Sequence, residues 1–176
     1  NWQVYHSGAG STYKFGGNLD LDSSFNTSSG TNGAFDNPSA TSIKFTNGSS
    51  TINNLNADGA IVIAYCWHSV SGYSKIGSYT GNGSTTGPTV TTGFQPDFVM
   101  IKATTSSGNW AIFDSIRVDG TVVDKLLWAN KSDAEVDFSG ARAIQFLSNG
   151  FQLKSGGSDD INDNNETYIY MAVKIN

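Results

Sequence analysis

The chain has 176 residues, a formal charge of −5 and only 14% charged residues. This balance, without a Lys/Arg cluster, excludes a general nucleic-acid binder, which needs a basic surface for phosphates, and no apolar run approaches the length of a membrane-spanning helix. Hydrophobic residues make up 38% of the chain, which is enough for a packed core in one ordinary domain or two small ones.

The first 70 residues are predicted to form short strands between polar loops. Strands are expected at residues 2–6, 19–22 and 42–45, and Asn47-Gly48 is a hairpin signal that leads into residues 51–55. The most apolar run, residues 60–69, is predicted to be a central strand covered on both faces. That position would bury Cys66, the single cysteine, as a small apolar side chain.

Residues 72–98 (GYSKIGSYTGNGSTTGPTVTTGFQPDF) hold two alternating runs around a Gly-rich turn, a pattern typical of strand, turn and strand. Further strands are predicted at residues 97–103, 110–115, 118–123, 125–129 and 167–175, with a hairpin at 143–154 around Asn149-Gly150. No segment keeps a helical period, although residues 133–135 allow one helical turn. The sequence therefore predicts an all-β fold, an antiparallel β-sandwich or jelly roll, with a β-barrel as the alternative.

Four segments recur in the same order in the two halves of the chain. Residues 1–7 (NWQVYHS) match 109–115 (NWAIFDS), 18–24 match 126–132 more weakly, 43–48 match 144–150, and 58–64 match 165–171. We predict an internally repeated unit with a truncated first copy at residues 1–71 and a complete second copy at 72–176, which can pack as one β domain. The first copy lacks a counterpart of residues 72–102. Either the chain is a fragment of a longer protein or this copy completes its sheet by another route.

Candidate chemistry is sparse. The two histidines, His6 and His68, come without a G-x-S-x-G motif, and the carboxylates of residues 114–137 show no pairing pattern, so no catalytic residue is predicted. The acidic run 158–166 is rich in the oxygen ligands that Ca²⁺ prefers, and Asp159, Asp160 and Asp163 are its candidate ligands. The run lacks EF-hand spacing, so an Asx-rich turn without any metal or cofactor is the default expectation.

Aromatic residues carry the binding hypothesis. Exposed rings beside amides and carboxylates can hold a sugar, because the ring covers the apolar face and the polar groups bind the hydroxyls. The candidate ligand-binding residues are Tyr79, Asn82, Trp110 and Trp128, with Tyr79 and Asn82 beside the Gly-rich turn as the best exposed pair. The alternative for each ring is packing in the core.

The phrases GSYTGNGSTTGPTVTTGFQPDFVMIK (77–102), GNWAIFDS, LLWAN, FLSNGF and TYIYMA resemble a repeat module of tailed-bacteriophage structural proteins of the marine phage type. NWQVYHS and AYCWHSVSGYSKIGSYTGNG resemble the preceding copy of the module and its junction. The loose region 8–36, the acidic loop 156–166 and the closing residues 173–175 depart from that pattern. The family is associated with lectin-like sandwich domains.

The resemblance implies a virion surface protein, which is a tail fibre, a head fibre or a decoration protein, and it does not imply an enzyme. We predict a structural protein of the tail-fibre or head-fibre type that recognises the host surface through its glycans, and no enzymatic activity. The expected partners are other virion proteins, host cell-surface glycans and further copies of the chain, with a trimer favoured for a fibre. No nucleic acid or membrane insertion is expected. The alternatives are an architectural capsid decoration or fibre-shaft protein without a ligand and, from paired carboxylates, a glycan-cleaving tail spike.

Overall fold

The computed structural model describes residues 2–9, 17–25, 35, 39, 41–43, 45, 58–59, 61–117, 122–156 and 160–175. Within these ranges the protein is all-β, with short strands and one 3-10 turn at Ser7–Ala9. Every pairing between the named strands is antiparallel. The predicted fold class is therefore confirmed.

Three sheets are present in the described residues. The strands in chain order are β1 Gln3–Val4, β2 Gly17–Asn18, β3 Ser74–Thr80, β4 Thr89–Thr91, β5 Phe98–Ala103, β6 Ala111–Asp114, β7 Val122–Val123, β8 Lys125–Trp128, β9 Val136–Asp137, β10 Ile144–Leu147, β11 Gly150–Leu153 and β12 Thr167–Val173. The larger sheet has the order β3-β12-β5-β6-β8-β9, the smaller one β4-β11-β10-β7, and β1 and β2 form a separate ribbon.

The main core lies between the two larger sheets. Successive strand residues point to opposite faces, and the inward residues of both sheets form one apolar cluster. Its members include Val99, Ile101, Phe113, Leu126, Tyr168 and Tyr170 from the larger sheet and Val90, Val123, Ile144, Phe146, Phe151 and Leu153 from the smaller one. Two antiparallel sheets packed over a shared core form a β-sandwich.

A second apolar cluster covers the outer face of the larger sheet. Phe25, Trp110 and Ile169 are buried in it, with Val4, Ala9, Leu19 and Met100 packed against them. The N-terminal ribbon and the residues after it supply Val4, Leu19 and Phe25, so they form a third layer. The larger sheet is consequently apolar on both faces, as the near-continuous apolar sequence of β5 and β12 requires.

The strands on either side of the Gly-rich turn do not pair with each other. β3 lies at the edge of the larger sheet beside β12, whereas β4 lies at the edge of the smaller sheet beside β11. The connection at residues 81–88 therefore joins the two layers of the sandwich.

The hairpin predicted around Asn149-Gly150 is confirmed as β10 and β11. Gly150 has a φ of 156° and lies so close to β4 that a Cβ atom would sit 2.0 Å from the carbonyl oxygen of Val90. Only glycine permits this approach of the two backbones.

The central strand predicted at residues 60–69 is not formed at residues 61–69, and residue 60 lies outside the described residues. Residues 61–69 belong to no strand and are exposed throughout, and Cys66 is exposed as well. The sequence counterpart of this run is β12, which is buried because β3 and β5 pair with it on its two sides. No described strand flanks residues 61–69 in that way, and an apolar sequence alone does not bury a strand.

Smaller corrections concern the first half. The strand expected at residues 19–22 is absent, since β2 ends at Asn18, residues 19 and 20 form a turn, and residues 21 and 22 belong to no strand. Of the strand expected at 42–45, Phe45 forms an isolated bridge with Phe35, while the partner segment 51–55 lies outside the described residues. Residues 133–135 form no helical turn.

The strand pairs β1–β2 and β6–β8 have the same pattern of backbone hydrogen bonds. The N–H of Leu19 donates to the carbonyl of Trp2 (2.9 Å), and the N–H of Ala129 donates to that of Trp110 (2.9 Å). The N–H of Trp2 donates to Asp20 Oδ1 (3.2 Å), as that of Trp110 does to Asn130 Oδ1 (2.9 Å). The two strand pairs are alike when Trp2 is matched to Trp110 and Leu19 to Ala129, which is a register two residues away from the predicted match of residues 18–24 to 126–132. The repeat over the whole chain and its boundary at residues 71 and 72 stay predictions.

Candidate functional site

Trp110 is a packing residue in the structure. Its side chain is 4% exposed, and the indole Nε1–H donates to the carbonyl oxygen of Asn18 at 2.9 Å. The ring lies 6.2 Å from that of Phe25, centroid to centroid. This indole fastens the N-terminal ribbon to the larger sheet, and its face is not accessible to a sugar.

Trp128 is also buried, under two cationic side chains. The Arg142 guanidinium lies 5.8 Å from the ring centroid and the Lys131 ammonium 5.9 Å. Phe138 meets the indole edge-on at 6.3 Å. Cation–π attraction and this edge contact occupy the ring, so the position favours packing over ligand stacking.

Tyr79 is half-buried at the edge of the core. Its ring stacks on Tyr168 at 5.1 Å, and its hydroxyl donates to the carbonyl oxygen of Ile161 at 2.6 Å. The residue therefore ties β3 to the loop before β12 and presents little ring surface to solvent.

Asn82 is exposed, but its side-chain amide is already hydrogen-bonded to neighbouring loop residues. The Oδ1 atom accepts from the backbone N–H of Ser84 (3.0 Å) and from Asn162 Nδ2 (3.1 Å), while Nδ2 donates to the carbonyl of Thr86 (3.2 Å). Asn162 is fully buried and also donates to the carbonyl oxygens of Ser84 and Ser155. The two amides together hold the Gly-rich connection against the loop of β12.

The calcium candidates lie in that same loop. Asp159 lies outside the described residues. Asp160 adopts a left-handed backbone (φ 68°), and its Oδ2 accepts from Asn109 Nδ2 at 3.5 Å, whereas the backbone N–H of Asp163 donates to the Tyr168 hydroxyl. In the described part of the chain, no three His, Cys, Asp or Glu side chains are grouped as metal ligands.

An exposed set of aromatic rings lies elsewhere, where Trp2 meets residues 61–69. Tyr65 stacks on Trp67 with centroids 6.0 Å apart and planes at 23°, and Trp2 lies 5.9 Å from Tyr65. Their exposed fractions are 56% for Trp2, 61% for Tyr65 and 64% for Trp67. We call Trp2, Tyr65 and Trp67 the aromatic platform.

Local sequence explains how the platform forms. Tyr65 and Trp67 are two residues apart, and their stacked rings lie on the same side of the chain. Trp2 precedes β1 and is held by its hydrogen bonds with Leu19 and Asp20. The burial prediction for residues 60–69 hid this site, although two aromatics spaced by two in an uncharged run were the signal that could have revealed it.

Three contiguous, solvent-facing rings form a surface of a kind that usually marks a contact site. Their faces are flat, apolar and electron-rich, and therefore suit the C–H face of a sugar or a cation. This arrangement can bind a ligand by stacking.

The strongest pKa shifts occur at buried structural groups. Burial lowers the pKa of Lys102 to about 8, an effect opposed by the nearby carboxylates of Asp160, Asp22 and Glu166. Lys102 Nζ donates to the carbonyl oxygens of Ala103 (2.7 Å) and Asp22 (3.4 Å). The ammonium therefore anchors the N-terminal layer to β5.

His6 is likewise structural. Burial lowers its pKa to about 4, against a smaller opposing contribution from the backbone of Tyr170. Its Nδ1 atom accepts from the backbone N–H of Gly8 at 2.9 Å, within the 3-10 turn. His68, in contrast, is exposed.

A cluster of ion pairs lies near the far edge of the larger sheet. Although burial opposes ionisation, hydrogen bonds and charge from Arg117 lower the pKa of Asp114. Arg117 pairs with Asp114 and with Glu135. These contacts fix the connection after β6 against β9.

The match to known families covers nearly all of the sequence. The chain belongs to the DUF7483 family, described as a domain of unknown function, over residues 1–175. That span includes both the aromatic platform and the sandwich. No curated protein and no solved structure matches the chain. Within the described residues, no helix is long and apolar enough to cross a membrane.

Proposed function

We propose that this protein is a bacteriophage virion surface protein of the tail-fibre or head-fibre type that recognises host-surface glycans. The observation that carries the proposal is the aromatic platform, since Trp2, Tyr65 and Trp67 are exposed and their rings are in contact one after the other. The sequence resemblance to phage structural modules supports the virion assignment. The all-β scaffold, which buries its larger sheet on both faces, supplies a rigid support.

In this proposal the platform acts by stacking. The rings cover the apolar faces of consecutive sugar units, and the hydroxyls of the ligand face water or nearby polar side chains. Each contact is weak, because a shallow surface buries little of the ligand. Several copies on one particle convert weak contacts into firm attachment.

The remaining assignments follow from this role. The protein acts without catalysis and without a cofactor, its partners are other virion proteins and copies of itself, and it resides on the surface of the particle. Its acidic balance, with a net charge of −5, favours neutral or cationic ligands over anionic ones.

The test is binding to an array of bacterial capsular polysaccharides and lipopolysaccharide O-chains. We expect Trp67→Ala and Tyr65→Ala to abolish the signal of any glycan that the unmodified chain retains. Tyr73→Ala is the matched control, because Tyr73 is also exposed, at 54%, but has no described ring contact with the platform. A chain that binds no glycan on the array, or variants that bind as well as the control, would refute this role for the platform.

An architectural role, as a capsid decoration or fibre-shaft protein without a ligand, is the second candidate. It is favoured by the packing of Trp110, Trp128 and Tyr79, which stabilise the fold rather than face solvent. Particles that lose integrity without the protein, while the protein itself retains no glycan, would support this candidate.

A further inference from the structure

Residues 61–69 form an exposed apolar segment without a described covering layer. Ile61 is 95% exposed and Ile63 73%, and no Asp, Glu, Lys, Arg or Pro occurs from Ile61 to Tyr73. Soluble proteins rarely leave such a segment facing water, and they usually protect it with charges or proline. The segment is therefore a candidate contact surface.

Residues 61–69 make no described hydrogen bond from backbone to backbone. Val70 forms a bridge with Ser74, which opens a hairpin toward β3. The hairpin does not continue, because the Ser69 hydroxyl bonds both to the N–H of Ile76 (3.0 Å) and to its carbonyl (3.4 Å). Residues 61–69 thus diverge from β3 and belong to no described strand.

The sequence of the segment is nevertheless that of a paired strand. Residues 58–64 match 165–171, and in β12 the residues from Thr167 onward pair with β3 on one side, with β5 pairing from Tyr168 onward on the other. A run with the composition of β12 has strong β propensity and offers two edges. It can gain a strand partner from outside the molecule.

We propose that residues 61–69 pair antiparallel with the same residues of a second copy, forming an isologous two-fold dimer. A second copy is the favoured partner because the segment is uncharged, so pairing brings no like charges together despite the net charge of −5. The free edge of β3 is a poorer partner, since Ser74 and Ile76 are already bonded there and Lys75 protects it.

Pairing of this kind leaves the aromatic platform available. Strands pair through their edges, whereas the side chains of Tyr65 and Trp67 project from a face. The dimer would hold two platforms in a fixed relation. The inference does not rest on glycan binding, because it concerns backbone pairing alone.

The experiment uses the full chain and its single cysteine. Sedimentation across a concentration series is expected to show a shift from 18.7 kDa to twice that mass. A nitroxide on Cys66 is expected to give a label–label distance below roughly 20 Å in the dimer, because paired strands lie about 5 Å apart. A chain that stays monomeric, a trimer, or a dimer with remote labels would overturn the proposal.

A variant pair tests the pairing itself. Ile63→Pro/Ala64→Pro removes two adjacent N–H donors, which point to opposite edges of the strand, and is expected to weaken the dimer at least about tenfold. Ile63→Val/Ala64→Val keeps the donors and should leave the dimer intact. Both substitutions lie in an exposed segment, so equal thermal unfolding shows that the fold is kept. A proline variant that dimerises as tightly as the valine variant would also overturn the proposal.

Discussion

Trp2 and Trp110 occupy equivalent places in two hairpins, yet one ring faces solvent and the other is buried. Each tryptophan accepts a backbone hydrogen bond from across its hairpin and donates its own N–H to an Asx side chain, Asp20 or Asn130. Only Trp110 is covered, by Asn18 and Phe25. The same local structure therefore provides a packing residue in one place and a candidate binding residue in the other.

This difference in burial predicts that replacement by alanine destabilises the protein at Trp110 and has little effect at Trp2. Trp110→Ala should lower the free energy of unfolding by roughly 3–5 kcal/mol, because it empties a buried site and leaves the Asn18 carbonyl without its donor. Trp2→Ala should change it by less than about 0.5 kcal/mol. Urea unfolding followed by circular dichroism measures both. Equal losses in the two variants would show that the hairpins are covered alike.

Asn162 is predicted to hold the Gly-rich connection at residues 81–88 in place through its hydrogen bonds. Asn162→Ala removes the donors to Ser84 and Ser155 and the acceptor of the Asn82 N–H (3.0 Å). A buried group left unsatisfied costs about 1–3 kcal/mol, so urea unfolding should show at least a loss of that size. Faster amide exchange at residues 81–84 should accompany it.

The control for that variant is Asn164→Ala, in the same loop but exposed. It should leave both the stability and the exchange rates near those of the unmodified protein. Similar behaviour of the two variants would contradict a specific role for Asn162.

The lowered pKa of Lys102 predicts that the free energy of unfolding increases with pH in mild alkali. Its folded pKa of about 8 lies below that of an unfolded lysine, at 10.5. Between these values the unfolded chain binds more protons than the folded one, so stability increases with pH by up to about 1.4 kcal/mol per unit. Urea unfolding at pH 8.0, 8.5 and 9.0 measures the slope, below the range in which tyrosines ionise.

Lys102→Met is the matched variant, because methionine keeps an unbranched side chain without the charge. We expect it to flatten the slope in that pH window. A slope that persists in the variant would assign the effect to another group.

The lowered pKa of His6 predicts that the free energy of unfolding decreases as the pH falls in weak acid. Its folded pKa of about 4 lies below the ordinary value of 6.5. The contribution is fully present above pH 6.5 and is lost as the pH falls toward 4, because the unfolded chain then takes up the proton first. Unfolding measured from pH 7 to pH 5 should show the decline, before most carboxylates protonate.

His6→Gln should reduce that decline, since glutamine keeps a polar side chain without titrating. His68→Gln is the control, because His68 is exposed and outside the core. A decline that disappears in the His68 variant instead would contradict the assignment to His6.

Much of the sandwich follows from the sequence alone. The alternation in residues 144–147 and 150–153, with Asn149-Gly150 between them, is a hairpin pattern in any context, because side chains alternate along a strand and the turn needs residues that tolerate its backbone. The apolar runs that became β5 and β12 had to be covered on both faces. The all-β class could be predicted for these reasons.

Whether an individual apolar or aromatic side chain is buried or exposed could not be predicted in this way. Residues 61–69 carry the same kind of pattern as β12, but burial depends on neighbouring strands, and only β12 has them in the described structure. The Trp110 indole is 4% exposed and is bonded to a carbonyl group 92 residues away, whereas Trp2 is 56% exposed. Periodicity reports which side chains share a face, while the chain segments that close over that face are brought there by long-range packing.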